Sequence, residues 1–492
     1  MPLAPQAAPP STAPLRGSRR LLTLEHFCTP YQVGDCETLA GLDYVQAGRT
    51  GGALIWPGRS PERDRPQAAT LGSPQAPEIP IFARITPDVA ARSLLAKRGG
   101  KWAPTDVAVT VGGERVASIW REDGGSVFLP FDPDEVRLAC LSEGYQAIAR
   151  RGGRDWKRVA RTGYYRARGL MPRAAQIWLR RRYARIQARA AFPRWPVETG
   201  LHDFLELVFH YLQSIAGEPL PRIAPWPNGH SWALVLTHDV ETATGLSAVD
   251  SVAAVERSLG LRSSWNFVPR RYHVGSEQAR DMALEGFEVG VHGLYHDGRD
   301  LESISILRER LPAMRAAADR WNAVGFRAPA TQRDWELMPM LGFDYDSSYP
   351  DTDPFEPQSG GCCTWLPFFN REMVELPLTM PQDHTLFVIL RQKGERAWVR
   401  KAEFLRAHEG MALLDTHPDY LLDPEILGAY RGFLERFAED DRAWKALPRE
   451  VSSWWRRRAQ SRLEWTQAGW TITGPAAGEA RVELVPVKWG DR

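Results

Sequence analysis

No stretch of 18 or more apolar residues occurs anywhere in the chain, so no helix is expected to cross a membrane. Cysteine is scarce: Cys28, Cys36, Cys140, Cys362 and Cys363 fall in no zinc-ligand spacing, and the adjacent pair is poorly placed for a structural disulfide. Such usage favours a reducing compartment. The opening "MPLAPQAAPPSTAPLRGSRR" has no charged start followed by an apolar segment, so it does not read as a secretory signal. Its Pro/Ala richness marks residues 1–20 as a disordered tail, and the expected location is the cytoplasm. Net charge is nearly lacking too, at +2 in 492 residues, which excludes a globally basic or acidic protein.

What is present is a soluble globular composition, 43% apolar and 25% charged, on a chain long enough for two or three units. Its charge is unevenly spread. Between Arg150 and Arg194 the only acid is Asp155 among many arginines, and Ile177, Tyr183 and Ile186 can share a helical face there. Three readings compete: a solvated or internally paired helix, peripheral contact with an anionic membrane or lipid-linked substrate, and nucleic acid. Nucleic acid is not expected, because no stacking module or groove-reading motif accompanies the charge.

Residues 21–225 read as an N-terminal α/β domain of unknown role that includes the basic segment 150–194. "PIFARI", "DVAVTVGGERVASIW" and "SVFLPF" are strand-like, with "VGGE" a hairpin turn, and 57–80 reads as a long Pro-rich loop. "DPDEVRLACLSEGYQAIARR" has helical spacing and an Asp-Pro start suited to a helix N-terminus. From residue 226 to 457 the pattern changes to "WALVLTHDVE", "SSWNFVP", "GFEVGVHG", "VGFRAPA", "GFDYDSS", "MVELPLT" and "MALLDTHPD", with helical segments between. Alternation of this kind predicts an α/β architecture with parallel strands. Residues 458–492 show strand patterns without helix and are expected to form a short β appendage.

In this alternating region polar residues gather where apolar runs end: Asp239 and Glu241, His292, Arg327, Asp346 and His417. In a β/α barrel those ends open on one face, where catalytic groups meet. His292 and His296, four apart, are expected to share one face of a helical turn and reach one ion. In "THDVE", an extended strand points Asp239 and Glu241 the same way and His238 the other. One carboxylate with the two histidines completes a three-ligand site for a divalent metal, Zn2+ first with Co2+, Ni2+, Mn2+ and Fe2+ as alternatives. The other carboxylate is then free to act as a base; strand geometry leaves open which is which. Arg327 is expected to pair with the base, and His417 to act as a general acid with Asp415 or Asp346 as partner. Trp265, Tyr349 and Trp365 are candidates for stacking on sugar rings, with core packing as the alternative.

These blocks resemble the polysaccharide deacetylases of the NodB homology type, the carbohydrate esterase family 4 group. "THDVE" is similar to the TFDD block, "HGLYH" to HSxxH, "RAPAT" to RxPY and "LLDTHP" to the final LxxH block, in the family's order across about Ser231 to Trp455. The resemblance implies a distorted (β/α) barrel, one divalent metal, and removal of an acyl group, N-acetyl first, from a carbohydrate or glycoconjugate. It implies Asp239 as catalytic base, His292 and His296 as metal ligands, Arg327 as the partner of the base and His417 as catalytic acid. Val240 separates the two acids here, so Glu241 is the metal carboxylate on this reading, with Asp239 the alternative. The family's Asp-Trp block has no clear counterpart, and Asp346 is the candidate for its carboxylate. Two other functions fit the same residues: a deformylase or deacylase for a lipid-linked or small sugar at the cytoplasmic membrane face, and a non-catalytic carbohydrate-binding or assembly protein.

Overall fold

The computed structural model describes residues 42–46, 52–58, 65–73, 76–149, 181–184 and 186–485, and two β-sheets organise them. The first has seven strands: β1 (Leu42–Gln46), β2 (Ala53–Pro57), β3 (Gln67–Ser73), β4 (Ala76–Ala83), β5 (Trp102–Val111), β6 (Glu114–Glu122) and β7 (Val127–Phe128). Their order is β1-β2-β7-β6-β5-β3-β4, antiparallel except for β2 with β7. The expected loop 57–80 instead contains β3 and the first half of β4. Its prolines misled the reading because β4 is an edge strand, where Pro77 and Pro80 need lose no ladder bond on the open side. The expected β5–β6 hairpin turns at Gly112 and Gly113, both with positive φ.

Four helices accompany this sheet: α1 (Asp88–Arg98), α2 (Pro133–Leu141), α3 (Tyr145–Ala149) and α4 (Gly200–Ala216). Helix α2 starts as the Asp-Pro pair predicts: the Asp132 side chain accepts from the Asp134 N–H, and Pro133 occupies the first turn. The helical run expected over 132–151 breaks at Glu143, whose φ is +57°. Most of the basic segment, with Ile177, lies outside the described residues. Of its end, Arg181–Ala184 are helical, and Tyr183 and Ile186 are exposed rather than packed as an apolar face.

The second sheet is built from β9 (Trp232–Val240), β10 (Ser264–Phe267), β11 (Glu288–Val291), β12 (Gly325–Phe326), β13 (Tyr345–Asp346), β14 (Phe368–Asn370), β15 (Met373–Glu375), β16 (Met411–Thr416) and β17 (Ala443–Lys445). Their order is β14-β15-β13-β12-β11-β10-β9-β16, with β17 pairing the start of β9. Every pair is parallel except β14–β15. Among the described residues β14 and β16 do not pair, so the sheet is open there. Between strands run α5 (Ala243–Ser258), α6 (Ser276–Leu284), α7 (Ile304–Trp321), α8 (Arg396–Ala407) and α9 (Pro424–Phe437). All nine residues of β9 are buried, which requires cover on both faces and explains its unbroken apolar run. Because the strands are parallel, the residues that end β9, β11, β12, β13 and β16 come to one rim of the sheet.

The chain closes with α10 (Pro448–Gln460), a hairpin of β18 (Arg462–Thr466) and β19 (Gly469–Thr473), and β20 (Val482–Val485). Strand β20 pairs antiparallel with β8 (Leu220–Ile223), which precedes the second sheet. No described helix is long and apolar enough to cross a membrane.

The two halves share buried polar contacts. Arg333, in the second half, forms a bidentate pair with Glu143 of the first at 2.6 and 2.7 Å, and its Nη1 donates to the Thr331 carbonyl at 2.9 Å. Tyr145 Oη donates to the Gly361 carbonyl at 3.0 Å, and His202 stacks on Trp365 with centroids 3.4 Å apart. Both members of the Arg333–Glu143 pair are buried, so removing one leaves an uncompensated charge. Glu143→Ala is expected to lower unfolding free energy by about 3–5 kcal/mol, read from urea or guanidinium unfolding curves; a loss below about 1 kcal/mol would show the pair to be solvated.

Candidate functional site

Five strand ends deliver the site. Asp239 is the penultimate residue of β9, deep in the rim, and its Oδ1 accepts from Asn266 Nδ2, on neighbouring β10, at 2.9 Å. Its Oδ2 lies 3.6 Å from Arg327 Nη1 and 3.7 Å from His292 Nε2. Burial disfavours the carboxylate, but His292, Arg327, His417 and the Asn266 amide outweigh it and hold Asp239 below the usual carboxylate range. His238, on the opposite face as alternation requires, lies between Glu256 (2.7 Å) and Thr416 (2.8 Å).

His292 follows β11 with its backbone N–H donating to the Phe267 carbonyl. Its Nδ1–H donates to the Arg327 carbonyl at 3.1 Å, which fixes the tautomer and leaves Nε2 as the free lone pair. That Nε2 is buried and has no hydrogen-bond partner. Burial lowers the His292 pKa to about 4, so the ring is neutral near pH 7. The expected helical turn is not there: residues 292–298 form a bent loop, with Gly293 at φ +62° and His296 at φ +57°. A Cβ on Gly293 would sit 2.4 Å from Asp300 Oδ2 and 2.7 Å from the Pro329 ring, so only glycine fits that turn. The loop, rather than a helix face, brings the two rings to 5.0 Å between centroids.

Glu241, one residue past β9, lies 2.8 Å from His296 Nε2 and 3.6 Å from His417 Nε2. Burial works against this carboxylate as well, and the two histidines more than offset it, so its pKa falls well below the ordinary value. Candidate ligand atoms of Glu241, His292 and His296 all lie within 4.8 Å of one another. A divalent cation fits this group: the buried His292 Nε2 lacks a partner, its tautomer is set for coordination, and two imidazoles with a carboxylate are donors suited to zinc-like ions. Asp239, Asp415 and His417 form a second compact group. There the Arg327 guanidinium already lies 3.1 Å from Asp415 and 3.6 Å from Asp239, a fixed positive charge that repels a cation.

Arg327 follows β12 and is fully buried. Besides the two carboxylates, its Nε donates to Ser347 Oγ at 2.9 Å and its Nη2 to Thr237 Oγ1 at 3.1 Å. Asp415 is therefore paired first with Arg327, and its charge also helps raise the His417 pKa, as one expectation had it. Burial and the neighbouring Asp239 push the Asp415 pKa well above the usual range. His417, the residue after β16, donates from Nδ1 to Asp383 Oδ1 at 2.7 Å, and its backbone N–H reaches Asp383 Oδ2 at 2.7 Å. Burial opposes a charged imidazole, yet Asp383 outweighs it and raises the His417 pKa well above its ordinary value. Asp346, the other expected partner, is held by the Ser348 N–H and hydroxyl at 2.8 and 2.7 Å. It faces Glu375, and burial raises both carboxyls.

Asp383 and Asn266 escaped the sequence reading. Asn266 had a usable signal, lying in register beside Asp239 on the adjacent parallel strand. Asp383 opens a short helical turn in an irregular stretch, and no periodicity points to it. The three aromatic candidates do not reach the rim. Trp265 stacks inside on His238 (centroids 4.0 Å), Trp365 on His202, and Tyr349 is 1% exposed. The rings that reach solvent beside these loops are Tyr295 and Tyr420.

Neither a family model nor a curated protein matches this chain. Solved structures do. A Mycobacterium smegmatis protein described as a polysaccharide deacetylase matches at 20% identity over 49% of this chain and 93% of its own, with a TM-score of 0.40. Puue allantoinase matches at 15% identity over 54% and 97%, TM-score 0.40. A Pseudomonas aeruginosa PAO1 protein, also described as a polysaccharide deacetylase, matches at 17% identity over 48% and 95%, TM-score 0.37.

The donor set predicts one tightly bound divalent ion per chain. Elemental analysis and Zn2+ titration of the purified protein are expected to show it, and His292→Ala with His296→Ala to abolish it. Zn2+ at about a hundred times its dissociation constant is expected to stabilise the wild type by about 2.7 kcal/mol and the double variant by nothing measurable.

Proposed function

We propose that the protein is a metal-dependent hydrolase that removes an acyl group, N-acetyl first, from a carbohydrate. The observation that carries this reading is the meeting of three separately encoded groups at one rim: the Glu241–His292–His296 donor set, the Asp239–Arg327 pair and the His417–Asp383 pair. A divalent cation held by Glu241, His292 and His296 would polarise the acyl oxygen and acidify water beside it.

The remaining work falls to this chain's own side chains. Asp239 is the base that takes the proton of the attacking water. Asn266 and Arg327 orient its carboxylate, and its lowered pKa keeps it ionised at neutral pH. His417 is the acid that protonates the departing nitrogen or oxygen at Nε2. Asp383 fixes the ring through Nδ1 and favours the protonated form needed for donation. His417 Nε2 lies 3.6 Å from Glu241, beside the donor set. Arg327 does not face substrate; fully buried, it acts through Asp239. Carbohydrate as the substrate class rests on the ordered sequence blocks.

Amine release from N-acetylated oligosaccharides is expected to require the metal and to fall to background with chelator, returning on addition of Zn2+ or Co2+. Equal turnover in His292→Ala would overturn the reading. A general acid or base contributes about 10²–10⁴ to rate, so Asp239→Asn and His417→Ala are each expected to lower kcat/KM by that factor. Asp383→Asn is expected to lower kcat with little change in KM, because it alters the orientation and proton of His417 rather than substrate contacts.

A further inference from the structure

Helix α8 and the strand it feeds show where a second feature lies. The helix ends at Ala407, and β16 begins four residues later at Met411, so the C-terminus of α8 sits at the start of β16. Packed antiparallel on β16, α8 must begin at the strand's far end, the rim that carries Asp239, His292, Arg327 and His417. At that beginning opens a cleft of about 580 Å³ between the Trp195–Val197 segment and the first turns of α8. It lies close in sequence to the hydrolytic centre: Pro381 lines the cleft, and Asp383, two residues on, holds His417.

The chemistry of the cleft is one-sided. Lys393, Arg396, Arg400 and Lys401 line it, with Gln392 as a further donor, and its described lining includes no carboxylate. Lys401 is buried and satisfied by Asp351 (2.6 Å), and Lys393 reaches Glu425 at 3.0 Å. Arg396 and Arg400 are exposed and have no carboxylate partner among the described residues. They stand four apart on one helix face, which brings like charges together at a cost to the helix. Helix α8 also opens without a side-chain cap, so its first-turn N–H groups and positive dipole end lie by the cleft. Two unpaired guanidiniums, uncapped amides and an apolar floor of Trp195, Pro196 and Pro381 describe a receptor for an anion attached to something bulkier.

We propose that this cleft is a phosphate subsite, taking a phosphate or pyrophosphate group carried by the glycoconjugate whose acyl group is removed at the neighbouring centre. The substrate role rests on the hydrolase reading above; the anion binding does not. One arginine from the end of the 150–194 segment reaches the stretch beside the cleft. Arg181 there donates from Nε and Nη2 to the Val388 carbonyl at 3.0 and 2.8 Å, within the stretch that joins Asp383 to Gln392. The phosphate can belong to a soluble sugar pyrophosphate or to a sugar carried on a lipid phosphate in a membrane; either gives the same fork-shaped contact with arginine.

The test uses the full chain and two probes, inorganic pyrophosphate by titration calorimetry and phosphatidylglycerol vesicles by co-sedimentation at low salt. Each is run on wild type, Arg396→Gln/Arg400→Gln and His292→Ala. The double variant changes exposed side chains, so its fold is expected to be intact, and circular dichroism checks this. Pyrophosphate binding weakened at least tenfold in the double variant assigns the subsite to a soluble phosphate. Vesicle binding lost in the double variant, with no response to pyrophosphate, assigns it to a lipid phosphate. Binding of neither probe, or binding equal in wild type and double variant, overturns the proposal. His292→Ala is expected to keep its anion binding, so failure of the hydrolase reading and failure of the subsite are separately visible. If both hold, the double variant raises KM for a phosphorylated acyl sugar.

Discussion

One buried guanidinium ties the rim together. Arg327 carries its charge where no water reaches it and contacts side chains from β9, β16 and the stretch following β13. Four strand ends share one hydrophobic core, whose non-directional packing alone does not fix their polar side chains to within fractions of an ångström. A charged fork in a dry environment tolerates little displacement, because each lost contact exposes a desolvated charge. The same side chain's backbone carbonyl receives the His292 Nδ1–H, so one residue sets the position of the base and the tautomer of a metal-site imidazole.

Two carboxylates against one cation raise the question of balance. Asp239 and Asp415 both lie beside Arg327, yet their pKa values move in opposite directions. Asp239 is supported by histidines and the Asn266 amide and stays ionised; Asp415, facing Asp239 and buried, is pushed towards the protonated form. Separation of this kind gives neighbouring acids different work within one pocket. The Asp346–Glu375 pair further along the rim follows the same logic: burial raises both carboxyls, and the neighbouring Asp346 raises Glu375 further.

Much of this was legible beforehand, and the reasons differ by residue. Alternation in "THDVE" placed Asp239 and Glu241 on one face and His238 on the other, since a strand's period of two leaves no choice. Parallel topology then turned residues distant in sequence into neighbours, which is why Arg327 and His417 could be expected beside Asp239. Loop geometry was opaque. The His292–His296 spacing suggested a helical turn, but Gly293 and His296 adopt left-handed backbone, a choice set by the close approach of Asp300 and Pro329. The partner of His417 was sought among acids at strand ends, whereas Asp383 comes from an irregular stretch whose position depends on packing against α8 and β16. The strands hidden within 57–80 were obscured by prolines that only an edge position tolerates.

The Arg333–Glu143 pair has a consequence for how such a chain can be rearranged. Arg333 holds the carbonyl of Thr331, a β-branched residue at φ +49° four positions beyond Arg327, and Glu143 holds Arg333. The left-handed kink that follows the site arginine is thus propped from the preceding half of the molecule, with Tyr145 on Gly361 and His202 against Trp365 as further props. The parallel sheet is therefore not a portable module. Grafted elsewhere without Glu143, Tyr145 and His202, it would carry an arginine stripped of its counter-charge and an unsupported bend four residues from its site arginine, so the two halves must be inherited, swapped and engineered as a single piece.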